Sequence, residues 1–315
     1  MSTRAKAGAG RRKFFPIWRA DLALASIALV WGLTFIVVKR ALSDISILYF
    51  LALRFAFATL CMLLMFLPAF RRAERTAVWR GLRAGGTAGV FLWLGYALQT
   101  LGLKFTSAGN SGFITGLYVV LVPLFSAAIY RRWPKKPELT GIAIASAGML
   151  VLTLPGLDRK LGMNTGDALT IACAVAFAFH LLAIGYFSQR ERFEAVALGQ
   201  VACTAFLSVL GLLFEHPRAA WNTGVVFAIL LTGLFATALA FALQTWAQQY
   251  TTPTRTALIF ALEPVFALAA AVLIGGERLT IYSLVGGSMI LSGILVVELR
   301  PAQQALETAP DSGAE

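Results

Sequence analysis

The amino-acid sequence predicts an all-α polytopic membrane protein with ten transmembrane helices, arranged as two inverted five-helix repeats. Three observations support this fold class. Hydrophobic residues make up 58% of the 315 residues and charged residues only 13%, about half the charged share of a soluble domain. The apolar residues form ten runs, each about long enough for a helix to cross hydrocarbon. The chain also contains one pattern twice, at an offset of 145 residues.

In chain order, the sequence divides into four parts. Residues 1–20 form a basic cytoplasmic segment, 21–155 the first five-helix repeat, 166–299 the second, and 300–315 a disordered tail. The apolar runs lie at residues 21–38, 46–67, 84–103, 109–130, 138–154, 167–187, 195–214, 224–247, 256–274 and 280–298. They are continuously apolar, whereas the strands of an outer-membrane barrel alternate apolar and polar residues. The first run lacks a small-residue cleavage site, so we interpret it as an uncleaved helix.

Lysine and arginine residues predict the orientation. With the N-terminus inside, 19 of the 27 basic residues lie on the cytoplasmic side, seven lie on the other side, and Arg54 lies within a run. Positive residues favour the cytoplasmic side of a membrane protein. We therefore expect a multi-pass protein of the inner membrane with both termini in the cytoplasm. Because the basic residues cluster between apolar runs, the net charge of +12 does not indicate nucleic-acid binding.

The repeat relates two apolar hairpins. At an offset of 145 residues, Ala97-Leu98-Gln99-Thr100 aligns with Ala242-Leu243-Gln244-Thr245, and Gly141 and Gly148 align with Gly286 and Gly293. An odd number of helices per repeat makes the second copy enter from the opposite side, which predicts an inverted repeat. Each hairpin is interrupted by a short polar step. Paired interruptions of this kind indicate the binding site of a transporter.

Polar and aromatic residues share faces of the predicted helices. We predict that a cavity for a small-molecule substrate includes Trp31, Thr34, Tyr96, Gln99, Phe177, His180, Phe241 and Gln244. Gln99 and Gln244 are equivalent in the repeat, and the alternative is that they only join helices, worth about 0.6 kcal/mol each. His180 is a hydrogen-bonding cavity residue or a titrating one. For the aromatic residues, plain packing is the alternative.

Arg54 and Glu263 are charged residues inside apolar runs. A charge at the centre of a span costs about 2.5–3.5 kcal/mol on insertion scales, so such residues pair or line a water-filled path. Pro264 cannot donate a hydrogen bond to the carbonyl of Phe260, and Pro123 acts in the same way in its own run. We predict a coupling or gating role for these two charged residues and two prolines, in which Glu263 changes its protonation state. The alternative is a structural pair of Arg54 and Glu263.

A set of short motifs resembles the EamA-type branch of the drug/metabolite transporter superfamily. The motifs are Trp31-Gly32, Leu53-Arg54-Phe55, Gly102-Leu103 leading to Thr106-Ser107-Ala108 and Asn110, Thr251-Thr252-Pro253, Ala261-Leu262-Glu263-Pro264-Val265-Phe266 and Gly276-Glu277-Arg278-Leu279. The resemblance covers nearly all of residues 21–298. It implies ten helices and a central cavity lined by helices one to four and six to nine, which places Asn110 and Tyr118 at the cavity. Helices five and ten are peripheral in this family.

The sequence thus favours a secondary transporter that exports or exchanges small organic metabolites, such as amino acids, with proton coupling as one option. An importer or exchanger of another solute, a sugar or nucleoside, is the alternative within transport. An integral membrane enzyme would need clustered catalytic groups, which two histidines and few intramembrane acids do not supply. The protein is therefore not expected to be an enzyme.

No cofactor or metal is expected. The glycine pairs in the runs follow no strand and lack the Gly-Lys-Ser/Thr of a phosphate-binding loop, so they indicate helix packing. Cys61, Cys173 and Cys203 lie inside apolar runs without disulfide or metal-ligand spacing. The expected partners are a small-molecule substrate and the lipid bilayer, without nucleic acid, and a homodimer is left open.

Overall fold

The computed structural model describes residues 17–102, 104–106, 108–131, 133–154, 164–273 and 279–298. The helices are α1 (Ile17–Ala41), α2 (Ile47–Arg71), α3 (Arg75–Gly102), α4 (Ala108–Gly116), α5 (Tyr118–Tyr130), α6 (Lys136–Thr153), α7 (Thr165–Phe187), α8 (Phe193–Gly211), α9 (Thr223–Gly233), α10 (Ala240–Ala247), α11 (Pro253–Phe260), α12 (Glu263–Leu273) and α13 (Ile281–Glu298). A π turn, Leu234–Leu239, joins α9 to α10. These ranges contain an isolated bridge between Ile45 and Ala219 but no strand. The predicted all-helical class is confirmed.

The cores of the ten predicted apolar runs fall on these helices. Seven helical stretches within the described ranges are long and apolar enough to cross a membrane, namely Ile17–Val38, Ile47–Arg71, Ser111–Ile129, Thr165–Phe187, Phe193–Phe214, Thr223–Ala247 and Pro253–Ala270. The apolar part of α13 is shorter, α3 is rich in glycine, and α6 begins with a charged turn. The protein is thus a multi-pass helical membrane protein, while ten crossings and an inverted repeat remain predictions.

Two of the apolar runs contain a helix break near the middle. In one, α4 ends at Gly116 and α5 begins at Tyr118; in the other, α11 ends at Phe260 and α12 begins at Glu263. The second break coincides with Pro264, whose missing N–H cannot bond to the carbonyl of Phe260. The helices that follow the breaks begin 145 residues apart, which is the offset of the sequence repeat.

Helices α3 and α8 approach each other closely because glycines face the contact. A Cβ atom at Gly85 would lie 2.2 Å from the carbonyl oxygen of Val196, and one at Gly89 would lie 2.6 Å from that of Gln200. The neighbouring Gly86 meets nothing within 4 Å. Small residues on one helix face let two backbones come together without displacing side chains.

Helices α6 and α13 form a second close pair at the edge of the bundle, where they pack mainly on each other. A Cβ atom at Gly141 would lie 2.5 Å from the carbonyl oxygen of Gly293, and one at Gly148 would lie 2.7 Å from that of Gly286. The two contacts run in opposite directions along the two helices, so the pair is antiparallel. Its edge position agrees with what the family resemblance implies for the fifth and tenth helices.

Some predictions concern residues outside the described ranges. These are the N-terminal basic segment up to residue 16, the tail from residue 299 and the Gly276-Glu277-Arg278 motif. The side chain of Asn110 is likewise outside the described part of the chain.

Candidate functional site

Aromatic rings from six helices meet in the interior of the bundle. By ring-centroid distance, the contacts are Trp31 to Phe260 at 4.9 Å, Trp31 to Phe241 at 5.8 Å, Phe55 to Tyr96 at 5.4 Å and Tyr96 to Phe177 at 5.7 Å. The rings are tilted or edge-to-face, the arrangements that aromatic pairs prefer. We call these six residues the aromatic cluster. It joins both halves of the sequence.

The π turn at Leu234–Leu239 supplies the polar side of this cluster. A π turn interrupts the regular pattern of α-helix hydrogen bonds, and such turns are frequent at functional sites. The carbonyl of Ala236, within this turn, accepts hydrogen bonds from the indole nitrogen of Trp31, at 2.8 Å, and from Arg54 Nη2, at 3.2 Å. The hydroxyl of Thr237 accepts a 2.6 Å hydrogen bond from Arg54 Nε. The turn therefore fixes both the indole and the guanidinium group.

Arg54 is held among neutral groups. Its side chain is 6% exposed, and its guanidinium carbon lies 5.7 Å from the ring centroid of Phe55 and 5.9 Å from that of Tyr96. Among the described residues, no carboxylate forms an ion pair with it. The structural pair with Glu263, which the sequence left open, is thus not formed in this conformation.

Glu263 is the first residue of α12. Electrostatic interactions connect its carboxylate with Arg54, Tyr96 and Tyr118. The described residues provide it with neither an ion pair nor a hydrogen bond from a side chain. Two opposite charges therefore share one region of the bundle without touching.

The region around these charges corresponds to the cavity that the sequence predicts. Tyr96, Tyr118 and Glu263 lie there, and each side chain is intermediate in exposure.

Both helix breaks contribute to this region. Tyr118 is the first residue of α5 and Glu263 the first residue of α12, and the two positions are equivalent in the sequence repeat. The pair of breaks thus delivers one residue from each half to the same region.

His180 and Gln244 lie in buried polar contacts between helices instead, and Gln244 Oε1 has no hydrogen-bond partner among the described residues. His180 Nε2 and Gln200 Oε1 are 2.7 Å apart, and the amide of Gln200 donates to the hydroxyl of Thr245 at 2.9 Å. Gln244, 1% exposed, donates to Gln248 at 3.3 Å. These networks join α7, α8 and α10, so the two residues hold helices together in this conformation.

The remaining predicted site residues are divided between accessible and buried positions. Gln99 keeps accessible surface and donates to Thr115 at 3.2 Å. Thr34 is buried and donates to the carbonyl of Val30 in its own helix at 2.8 Å. Pro123 is buried within α5. Of the predicted residues, Trp31, Tyr96, Gln99, Tyr118, Phe177 and Glu263 keep accessible surface, whereas Arg54 is buried.

Sequence reasoning missed three residues of this region. Phe55 and Phe260 belong to the aromatic cluster, and Gln200 joins His180 to α10. An amide inside an apolar run was a usable signal for Gln200, because a buried amide needs a partner. No local signal distinguishes the two phenylalanines from the many other apolar residues in their runs.

The two described surface grooves lie away from this region. One is lined by residues of α6 and α13, including Ile144 and Ser288, and the other by residues around α2 and α9, including Phe57 and Trp221. No charged side chain lines either groove. They lie on outer faces of the bundle, where lipid is the surrounding solvent.

Two polar contacts cross between the halves near helix ends. Arg255, in the first turn of α11, donates to both carboxylate oxygens of Asp21 in α1, at 2.9 and 2.7 Å. Thr106, just before α4, donates to Asp167 in the first turn of α7 at 2.5 Å. Asp21 and Asp167 are equivalent in the repeat at an offset of 146 residues. We call these contacts the Asp21 latch and the Asp167 latch.

A multi-pass helical bundle with charged and aromatic groups in its interior has the general plan of a small-molecule transporter. The sequence profile of the EamA-like transporter family matches residues 18–154 and, a second time, residues 164–299. The chain therefore belongs to the EamA-like transporter family, and it is a membrane transporter.

Similar proteins agree with this assignment. An uncharacterized transporter of Archaeoglobus fulgidus is 36% identical over 89% of this chain and 86% of its own length. A protein of Salmonella typhimurium named "Probable amino-acid metabolite efflux pump" is 27% identical, over 86% of this chain and 91% of that protein. A solved crystal structure superposes with a TM-score of 0.75 at 21% identity, covering 89% of this chain and 98% of the other. The last likeness concerns the fold alone.

Proposed function

We propose that this protein is a secondary transporter of the inner membrane that exports or exchanges small organic metabolites, amino acids or related compounds, by alternating access. The observation that carries the proposal is the pair of helix breaks before Tyr118 and Glu263, which occur at equivalent positions and bring these two residues into one region of the bundle. Discontinuous helices in corresponding halves are typical of the substrate and ion sites of secondary transporters. The Salmonella relative named as an amino-acid metabolite efflux pump supports the substrate class.

The contacts of α6 with α13 support an inverted repeat. If Gly141 is equivalent to Gly286 and Gly148 to Gly293, a two-fold operation exchanges the contact Gly141–Gly293 with the contact Gly148–Gly286. Both contacts are present, and this reciprocity is what a two-fold axis requires. Because the two helices are antiparallel, the axis lies across them, in the plane of the membrane.

The two latches suggest how access alternates. In an inverted repeat, the start of α1 and the start of α7 face opposite sides of the membrane, so the Asp21 latch and the Asp167 latch close opposite ends of the cavity. Each latch joins one half of the chain to the other. Opening one while the other stays closed would expose the cavity to one side at a time, which is the rocking of repeats expected of this class.

Glu263 is the proposed coupling group. The charged and titratable groups that interact with it are Arg54, Tyr96 and Tyr118. An intramembrane carboxylate without an ion pair can be neutralised by a proton from whichever side the cavity faces. A proton and a cationic substrate group would compete for it, so their movements would be opposite in direction. The excess of basic residues predicts that both termini lie in the cytoplasm.

Flux in sealed vesicles tests this function. The purified full-length protein would first be screened with metabolites for ligand-induced thermal stabilisation, and each hit would be tested in proteoliposomes preloaded with the unlabelled compound. A carrier gives transient accumulation of external labelled compound by counterflow, whereas a channel does not. Protein-free liposomes are the control. The proposal would be contradicted if no stabilising compound showed counterflow, or if the protein converted the compound chemically.

A further inference from the structure

The Arg54 guanidinium and the Glu263 carboxylate each lack an ion-pair partner among the described residues. Arg54 is almost fully buried and bonds to a hydroxyl and a backbone carbonyl. Neutral acceptors satisfy some of its N–H groups, but they do not neutralise its charge. Glu263 is surrounded by protein and receives no ion pair from the described residues. Burial of an ion is costly unless it is paired, and each charge interacts with the other only from a distance.

A ligand with both an anionic and a cationic group would satisfy the two charges together. Its anionic group would take the guanidinium face that neutral acceptors leave free, since arginine binds carboxylates with two parallel hydrogen bonds. Its cationic group would face Glu263. An uncharged ligand would leave both ions unpaired, and a singly charged ligand would leave one.

The aromatic cluster defines what lies between the charges. Trp31, Tyr96 and Phe177 keep accessible surface, and their rings contact other rings of the cluster. Ring faces attract a cationic group and also pack against an apolar side chain. The anchoring of Trp31 and Arg54 by one π turn keeps the rings and the guanidinium group in a fixed relation.

We propose that Arg54 and Glu263 are the specificity-determining residues of a dipolar site, in which Arg54 binds the carboxylate and Glu263 the ammonium group of a zwitterionic substrate. This inference rests on the proposed transport function and assigns the charged groups of the substrate to residues. It also gives Glu263 two mutually exclusive partners, the ammonium group and the coupling proton.

Three related probes test the site on the purified full-length protein. Phenylalanine carries both charges, 3-phenylpropionate carries only the carboxylate, and phenethylamine carries only the ammonium group. Binding would be measured by isothermal titration in detergent. We expect phenylalanine to bind roughly tenfold to 100-fold more tightly than either singly charged probe, the effect of losing one charge-assisted hydrogen-bonded contact.

Charge-neutral variants then assign each end. Arg54→Gln should weaken the binding of phenylalanine and 3-phenylpropionate and leave the binding of phenethylamine unchanged. Glu263→Gln should weaken the binding of phenylalanine and phenethylamine and leave the binding of 3-phenylpropionate unchanged. Arg54→Lys, which keeps the charge, should retain part of the affinity for the carboxylate. Arg80→Gln and Glu191→Gln, which remove an exposed ion pair, are the matched controls and should change none of the three affinities.

The outcomes separate this inference from the transport function. Equal binding of all three probes by the unaltered protein would overturn the dipolar site, whatever the variants do. The dipolar site would also be overturned if Arg54→Gln and Glu263→Gln each lost affinity for all three probes equally and the double variant regained it. That pattern indicates a structural pair of the two residues. Counterflow of an uncharged metabolite without phenylalanine binding would end the dipolar site and leave the transporter intact. Absence of counterflow for every compound would end the transport function itself.

Discussion

Replacement of Gly85 by alanine is expected to destabilise the bundle, although alanine is the better helix former. The new Cβ atom would lie 2.2 Å from the carbonyl oxygen of Val196 and 2.9 Å from its carbonyl carbon. Both atoms belong to the backbone of α8, so no side chain can rotate away. The opposing face is equally close, because a Cβ atom at Gly199 would lie 2.4 Å from the carbonyl oxygen of Leu82. The two helices would have to separate.

The magnitude follows from two opposing terms. Alanine gains about 0.8–1.0 kcal/mol over glycine in a helix interior, and overpacking a tight contact costs about 1–3 kcal/mol, occasionally more. Because the overlap is with rigid backbone, we take the upper part of that range, which leaves a net loss of about 1–2 kcal/mol. At Gly86, where nothing lies within 4 Å, only the gain remains. The two variants should therefore differ by about 2–3 kcal/mol in unfolding free energy.

Thermal unfolding of the detergent-purified protein, followed by tryptophan fluorescence, measures this difference. Gly85→Ala should unfold at a lower temperature than the unaltered protein, and Gly86→Ala at the same or a higher one. The second half of the chain offers an independent replicate. A Cβ atom at Gly286 would lie 2.5 Å from the backbone nitrogen of Leu152, whereas Gly287 meets nothing within 4 Å. If Gly85→Ala and Gly86→Ala were equally stable, α3 and α8 could not pack as closely as described here.

Three further predictions concern transport. Glu263→Gln should abolish proton-driven accumulation of substrate but retain downhill exchange at saturating substrate. Both are measured in proteoliposomes with and without an imposed proton gradient, and a variant whose accumulation is still proton-driven would exclude Glu263 from coupling. Asp21→Asn should favour opening of the transporter at one membrane face, and Asp167→Asn should favour opening at the opposite face. The labelling rate of cysteines introduced at the predicted cavity measures this opening, and faster labelling from the same face in both variants would refute the latch assignment. A cysteine at Lys135 should be labelled only from the cytoplasm and one at Pro217 only from the other side, and labelling of both from one side would exclude the five-plus-five arrangement.

The class of protein followed from local properties of the chain. Helix formation and membrane insertion depend on hydrophobicity summed over about twenty consecutive residues, so the apolar runs could be located without knowing their neighbours. The helix break before Glu263 was predictable for the same reason, because a proline lacks its N–H whatever surrounds it. The helix break before Tyr118 was not predicted, because the proline of that run, Pro123, lies further along, within α5.

The partners of the site residues depended on tertiary structure. Arg54 bonds to Thr237 and Ala236, more than 180 residues away, because a π turn places both acceptors beside it, and no local pattern predicts that turn. Gln99 and Gln244 are equivalent in sequence, yet Gln99 keeps accessible surface and donates to Thr115, whereas Gln244 is buried and donates to Gln248. Which polar group meets which is decided by how helices from distant parts of the chain pack, and that packing is a property of the whole bundle rather than of any segment of its sequence.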